Sequence, residues 1–169
     1  MNLLFLALLM LFQSNWIVYE SENPAFKISF PAAIQEKDKI IKTDIGEVEV
    51  HTIYAASSID STDNNLYLLN YYSLNENIFK GDSAISVKEF LDETINNISK
   101  DLNADIIYTS PNINDKIRIA SYRLENAKIA MKGKIVLFKG YFYSLQVFTT
   151  KQYSLNKNMD KFLDSFYVN

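Results

Sequence analysis

His51 is the only histidine in the 169-residue chain, so it is the one imidazole available as a base or a metal ligand, and multi-histidine metal centres are ruled out. Glu47 and Glu49 precede it at alternate positions. Side chains alternate across a strand, so all three share one side, with neighbouring Cα atoms about 7 Å apart. Two carboxylates and an imidazole on one strand face make a weak candidate for an oxygen-and-nitrogen metal site, and through it for a metal-dependent or hydrolytic enzyme. The same spacing is what the solvated side of a half-buried strand produces. That plainer reading is preferred, and neither a catalytic residue nor a cofactor is expected.

Other chemistry is weaker still. Asp60, Asp63, Asn64 and Asn65 offer oxygens to calcium but lack the Asp, Gly and distal Glu order of an EF-hand loop. Asp and Asn gather in turns for local hydrogen-bonding reasons. No Gly-x-Ser-x-Gly elbow exists, and Ser165 falls where a packing helix is expected. Gly46, Gly81, Gly133 and Gly140 are too scattered to cradle a phosphate. Glu89, Asp92 and Glu93 read as the wet face of a helix rather than as an acid pair at work. Two binding surfaces remain. Lys128, Lys132, Lys134 and Lys139 form a basic strip able to meet an anionic glycan, a lipid head group or an acidic protein, or else simply guard a strand edge. Tyr141 and Tyr143 share one side of a strand, where they either fill the core or present phenols to a protein or sugar.

The elements that would position these groups can be read from period and punctuation. Trp16 to Tyr19 and Phe26 to Phe30 are short strands on either side of Asn23-Pro24, and Pro31 ends the second by removing a backbone donor. Ile34 to Thr43 and Glu47 to Ala56 flank Asp44-Ile45-Gly46, a hairpin turn in which Gly supplies a positive φ. In the second of these strands Val48, Val50, Thr52 and Tyr54 form the greasier side, which is expected to face the core; Glu47, Glu49, His51 and Ile53 form the wetter one. Asp60 to Asn65 is a polar loop, and Leu66 to Leu74 is a central strand.

The period then changes. Ser86-Val87-Lys88-Glu89 is a capping-box sequence, and Val87, Phe90, Leu91, Ile95, Ile98 and Leu102 follow at helical spacing. After it come Asp105 to Thr109, a turn at Ser110-Pro111-Asn112, Ile117 to Leu124, Ala130 to Phe138 and Tyr141 to Thr149. The two residues Lys139-Gly140 can join only antiparallel neighbours. Asn158 is expected to cap a last helix bearing Met159, Phe162, Leu163 and Phe166.

Leu3 to Phe12 is an unbroken apolar run, and the first 19 residues carry no charged side chain. A membrane-spanning helix needs about 20 apolar residues, and Gln13-Ser14-Asn15 interrupts this one earlier. Residues 1–14 are therefore expected to be a signal peptide of a periplasmic or secreted protein, with an uncleaved N-terminal anchor or a buried N-terminal strand as the alternatives. The chain has no cysteine, which removes disulfides, thiolate metal sites and lipidation at a cysteine. Residues 15–169 suffice for one domain. The net charge of −3 hides an asymmetry: residues 20–110 hold 16 acids and 7 bases, residues 111–169 hold 4 acids and 10 bases. Nucleic acid is not an expected partner.

Several segments together resemble a known family. Lys132-Gly133-Lys134-Ile135 through Phe138, Gly140-Tyr141-Phe142-Tyr143-Ser144-Leu145 and Lys161-Phe162-Leu163-Asp164-Ser165-Phe166 look like the closing strand, strand and short helix of PsbP-like proteins, and Phe26-Lys27-Ile28-Ser29-Phe30-Pro31 resembles their opening strand. The resemblance implies an α+β fold, similar to the Ran-binding Mog protein, in which a central antiparallel sheet is flanked by helices on both faces. It implies a binding or assembly module rather than an enzyme, and carries over no functional residue. The expectation is an exported, non-catalytic module of the cell envelope whose partner is an envelope protein or an anionic glycan or lipid surface, with carriage of a small apolar ligand as a further alternative.

Overall fold

The computed structural model describes residues 16–43, 46–57, 64–80, 85–114 and 116–169. The expected leader, the Asp44-Ile45 turn, Gly81, and Asp60 and Asp63 of the polar loop lie outside them. Strands β1 (Ile17–Glu22), β2 (Ala25–Phe30) and β10 (Tyr167–Val168) form a three-stranded sheet in the order β1-β2-β10. Strands β3 (Gln35–Thr43), β4 (Gly46–Ala56), β5 (Leu66–Ser73), β6 (Asp105–Ile113), β7 (Arg118–Glu125), β8 (Ile129–Phe138) and β9 (Tyr141–Thr150) form a seven-stranded sheet in the order β3-β4-β5-β9-β8-β7-β6. Every neighbouring pair is antiparallel. Helices α1 (Val87–Leu102) and α2 (Lys157–Asp164) complete an α+β fold. No helix among the described residues is long and apolar enough to cross a membrane.

Local chemistry sets the element ends. Ser86 Oγ accepts the Glu89 N–H at 3.0 Å, the bond that the sequence predicts for the start of α1. Asn103, with φ +45°, closes the helix in the left-handed conformation. Lys139 and Gly140 have φ +47° and +75°, so both central residues of the β8–β9 hairpin take the positive φ that fits the twist of a two-residue loop. α2 starts earlier than the sequence suggests. Its cap is Asn156, whose Oδ1 accepts from the N–H groups of Asn158 and Met159 at 3.1 Å each. Asn156 also exchanges amide hydrogen bonds with the buried Asn64, tying the start of α2 to the approach to β5.

Two corrections concern strands. β6 runs straight through Ser110-Pro111-Asn112, where a turn is expected. It is an edge strand paired with β7 alone, so the donor that Pro111 lacks is not missed. On β4 the faces are reversed: Ile53 and Ala55 are buried, whereas Val48, Val50, Thr52 and Tyr54 are half-buried. Thr52 donates to Asn70 Oδ1 at 2.8 Å and Tyr54 to Gln35 Oε1 at 2.6 Å, so the side expected to be greasy carries polar cross-strand pairs. The side bearing Glu47, Glu49 and His51 continues into the core at Ile53.

Two apolar cores result. One joins Phe26, Ile28 and Phe30 of β2 and Met159, Phe162 and Leu163 of α2 to Ile53, Tyr67, Leu69, Val136, Tyr143, Leu145 and Val147 of the large sheet. The other joins Leu91 and Ile95 of α1 to Tyr122, Leu124, Met131, Ile135, Leu137 and Phe142. The C-terminal end of α2 is stitched to β2 where the Ser29 N–H donates to Ser165 Oγ at 2.9 Å.

Gly133 makes the second core possible, since a Cβ there would lie 2.3 Å from Cζ of the fully buried Tyr122. Gly133→Ala is expected to destabilise the fold by about 1 to 3 kcal/mol through overpacking. Ile95→Ala is expected to cost about 2 to 5 kcal/mol through the cavity it leaves. Urea denaturation of the two variants checks both values, and wild-type midpoints would contradict the packing.

Candidate functional site

β4 pairs with β3 from Gly46 to Tyr54, but its register with β5 begins only at His51, opposite Tyr71. The β3–β4 hairpin therefore parts from β5 beyond that point. A cleft of about 440 Å³ opens there, lined by Glu47, Glu49, His51, Tyr71, Tyr141 and the Asn23-Pro24 turn among others. It sits where the covered side of the sheet emerges from beneath β2.

One cross-strand row runs through the cleft, which its His51 and Tyr71 line. Asp38, His51, Tyr71 and Tyr143 are successive Cα partners on β3, β4, β5 and β9. His51 Nδ1 lies 2.8 Å from Asp38 Oδ1, and its ring stacks on Tyr71 with centroids 4.9 Å apart and planes 25° apart. Tyr71 in turn stacks on Tyr143 at 6.1 Å and meets Phe26 edge-on at 5.1 Å. The row thus passes from two exposed strands into the core within four residues. Beside it the Tyr19 hydroxyl donates to Glu36 Oε2 at 3.1 Å.

Of the residues singled out by sequence, Glu49 and His51 do converge, and Asp38 joins them: the ligating atoms of these three lie within 4.8 Å of one another. Glu47 turns to Lys42, 3.8 Å away, while still lining the cleft. Asp38 escapes a strand-by-strand reading because it is 13 residues from His51. Its signal is the hairpin register, which can be counted back from Thr43 opposite Gly46. Asn64 is buried and bonded to Tyr67 and Asn156, far from a solvent-facing calcium ligand.

The basic strip is occupied internally. Lys132 pairs with Asp160, and Lys134 donates to the Leu163 carbonyl at 2.6 Å and to Asp164 at 3.1 Å. A cation at the last carbonyls of α2 also meets the negative end of the helix dipole. Lys139 donates to the Asn169 carbonyl at 3.0 Å, and Lys128 is exposed. Of the two places open to the tyrosine pair, Tyr143 takes the core. It is 1% exposed because its side of β9 faces Phe26 and Phe166, and only Tyr141 reaches the cleft.

Burial and nearby acids act on the phenols together. Tyr19 is pushed up to about 12 by burial, then by its hydrogen bond to Glu36 and the charges of Glu36, Tyr71 and Asp38. Tyr71 rises through burial and then the charges of Asp38 and Glu36. Tyr143 rises through burial and then the neighbouring Tyr141 and Tyr71. Compared with models of known families and with curated proteins, the chain matches none.

These phenols hold their protons more tightly folded than unfolded, so the folded state binds more protons above pH 10 and loses stability as pH rises. The urea midpoint should be steady below about pH 10 and fall from there through about pH 12. Tyrosinate absorbance recorded alongside should lag that of the unfolded chain. A midpoint unchanged across this window would contradict the placement of the tyrosines.

Proposed function

We propose that the protein is an exported, non-catalytic binding or assembly module of the cell envelope, built on the PsbP-like plan of a sheet with helices on both faces, and that its partner docks at the cleft between β4 and β5. The architecture is supported by β8, whose consecutive residues Ile135, Val136 and Leu137 alternate between the core containing α1 and the core containing α2. Successive side chains of a strand point to opposite faces. Export is supported by the apolar run from Leu3 to Phe12.

The observation that carries the docking site is the pairing of an acidic rim with an aromatic wall. Glu47 and Glu49 line a cleft walled by Tyr71 and Tyr141, and Asp38 and Glu36, whose charges act on Tyr71, add two carboxylates nearby. Carboxylates attract a cation over a distance, and phenol faces hold it once it is desolvated. The partner is therefore a protein segment that offers a Lys or Arg side chain. The lysine strip competes poorly as a docking surface for anions, because Lys132 and Lys134 already face Asp160 and Asp164.

A photo-crosslinking residue at position 141, introduced into the intact protein in its own cells, should capture a discrete partner, whereas one at the exposed Lys128 should not. Glu49→Lys should reduce the yield at position 141. Equal capture from both positions, or capture indifferent to Glu49→Lys, would sink the docking site.

A further inference from the structure

We propose that Asp38, Glu49 and His51 form a binding site for one divalent first-row transition-metal ion, with zinc as its representative. The inference uses the cleft of the preceding section but needs no partner.

The fold assembles three donors of suitable chemistry without distortion. Glu49 and His51 are alternate residues of β4, so they share a face, and the hairpin register places Asp38 directly across from His51. The His51 and Asp38 atoms are 2.8 Å apart, and no two of the three ligating atoms are more than 4.8 Å apart. An ion about 2.0 Å from each donor in a tetrahedral site needs donors roughly 3.3 Å apart, between those two values. Small side-chain rotations suffice, because Asp38 and Glu49 are exposed and free to adjust.

The imidazole is the member that must be preorganised, and it is. Tyr71 stacks on its ring and fixes its plane, and the Asp38 carboxylate already lies 2.8 Å from its Nδ1. This separates the cluster from an ordinary surface pair, in which both side chains would wander. Two carboxylates match the charge of a dication. An imidazole selects against calcium and magnesium, which take oxygen ligands. Three protein donors leave further positions open to water or to a group delivered by a ligand in the cleft.

The test is titration of the purified exported protein with zinc chloride, read by calorimetry and by native mass spectrometry. One zinc per chain is expected, undisturbed by excess calcium. His51→Phe keeps an aromatic ring on Tyr71 while removing the nitrogen, and Glu49→Gln removes a charge at an exposed position. Each should weaken binding roughly 10-fold or more, whereas Glu47→Gln should not. Zinc should raise the melting temperature of the wild type and not that of His51→Phe, while the metal-free proteins melt alike. Absence of stoichiometric zinc binding, or binding that survives both substitutions, would overturn the site. Binding is read on the isolated protein, so failure of the docking reading would leave this result untouched, and the reverse holds as well.

Discussion

Ile135, Val136 and Leu137 are consecutive, all three are buried, and they enter two different cores. Successive side chains of a strand alternate between its two sides. The large sheet is therefore a wall that contributes to both cores, and each cover has to match the residues it meets. β2 and α2 contribute Phe26, Ile28, Phe30 and Phe162 to one; α1 contributes Leu91 and Ile95 to the other. Isolated helices of these lengths are marginal in water, so both helices depend on the wall they pack against. Gly133 shows how close the fit is, since its missing side chain is the space that Tyr122 occupies.

The covers are smaller than the sheet, and the candidate site is a product of that mismatch. β4 extends past β2, so the side that is Ile53 and Ala55 beneath the cover becomes His51, Glu49 and Glu47 beyond it. Polar groups there are anchored to buried aromatics through one row of partners, which gives a solvent-facing imidazole the orientation usually found deeper in a protein. The basic half of the chain plays a structural part, since Lys132 and Lys134 hold α2 through Asp160 and Asp164. Exposed pairs contribute little individually. Lys134, with its additional bond to the Leu163 carbonyl, is the better placed of the two.

Features written in local chemistry were legible in the sequence: the Ser86 cap, the stripe of α1, the Lys139-Gly140 hairpin and the end of β2 at Pro31. Each needs only a few neighbouring residues to define it. What was not legible depends on extent and register. The alternation along β4 identifies two sides but does not say how far a cover reaches over either, so the polar side passed for the solvent side. Asp38 becomes a neighbour of His51 only through hairpin pairing, and Asn156 outcompetes Asn158 as a cap because it also bonds Asn64. β10 is too short for periodicity to register, and its pairing with β2 is a tertiary event.

The two open margins of the large sheet are defended by different means. β3 displays Lys37, Lys39 and Lys42, whose ammonium groups would have to be crowded together by any strand added alongside. β6 has no basic residue and shows Ile107 at 51% exposure, the kind of border along which chains zip into fibrils. Its register shifts between Ile106 and Tyr108, and Pro111 withholds a donor three residues later. An incoming chain would find only a few consecutive bonds before the ladder broke. A greasy border can thus stay solitary at high local concentration by being irregular rather than by being charged.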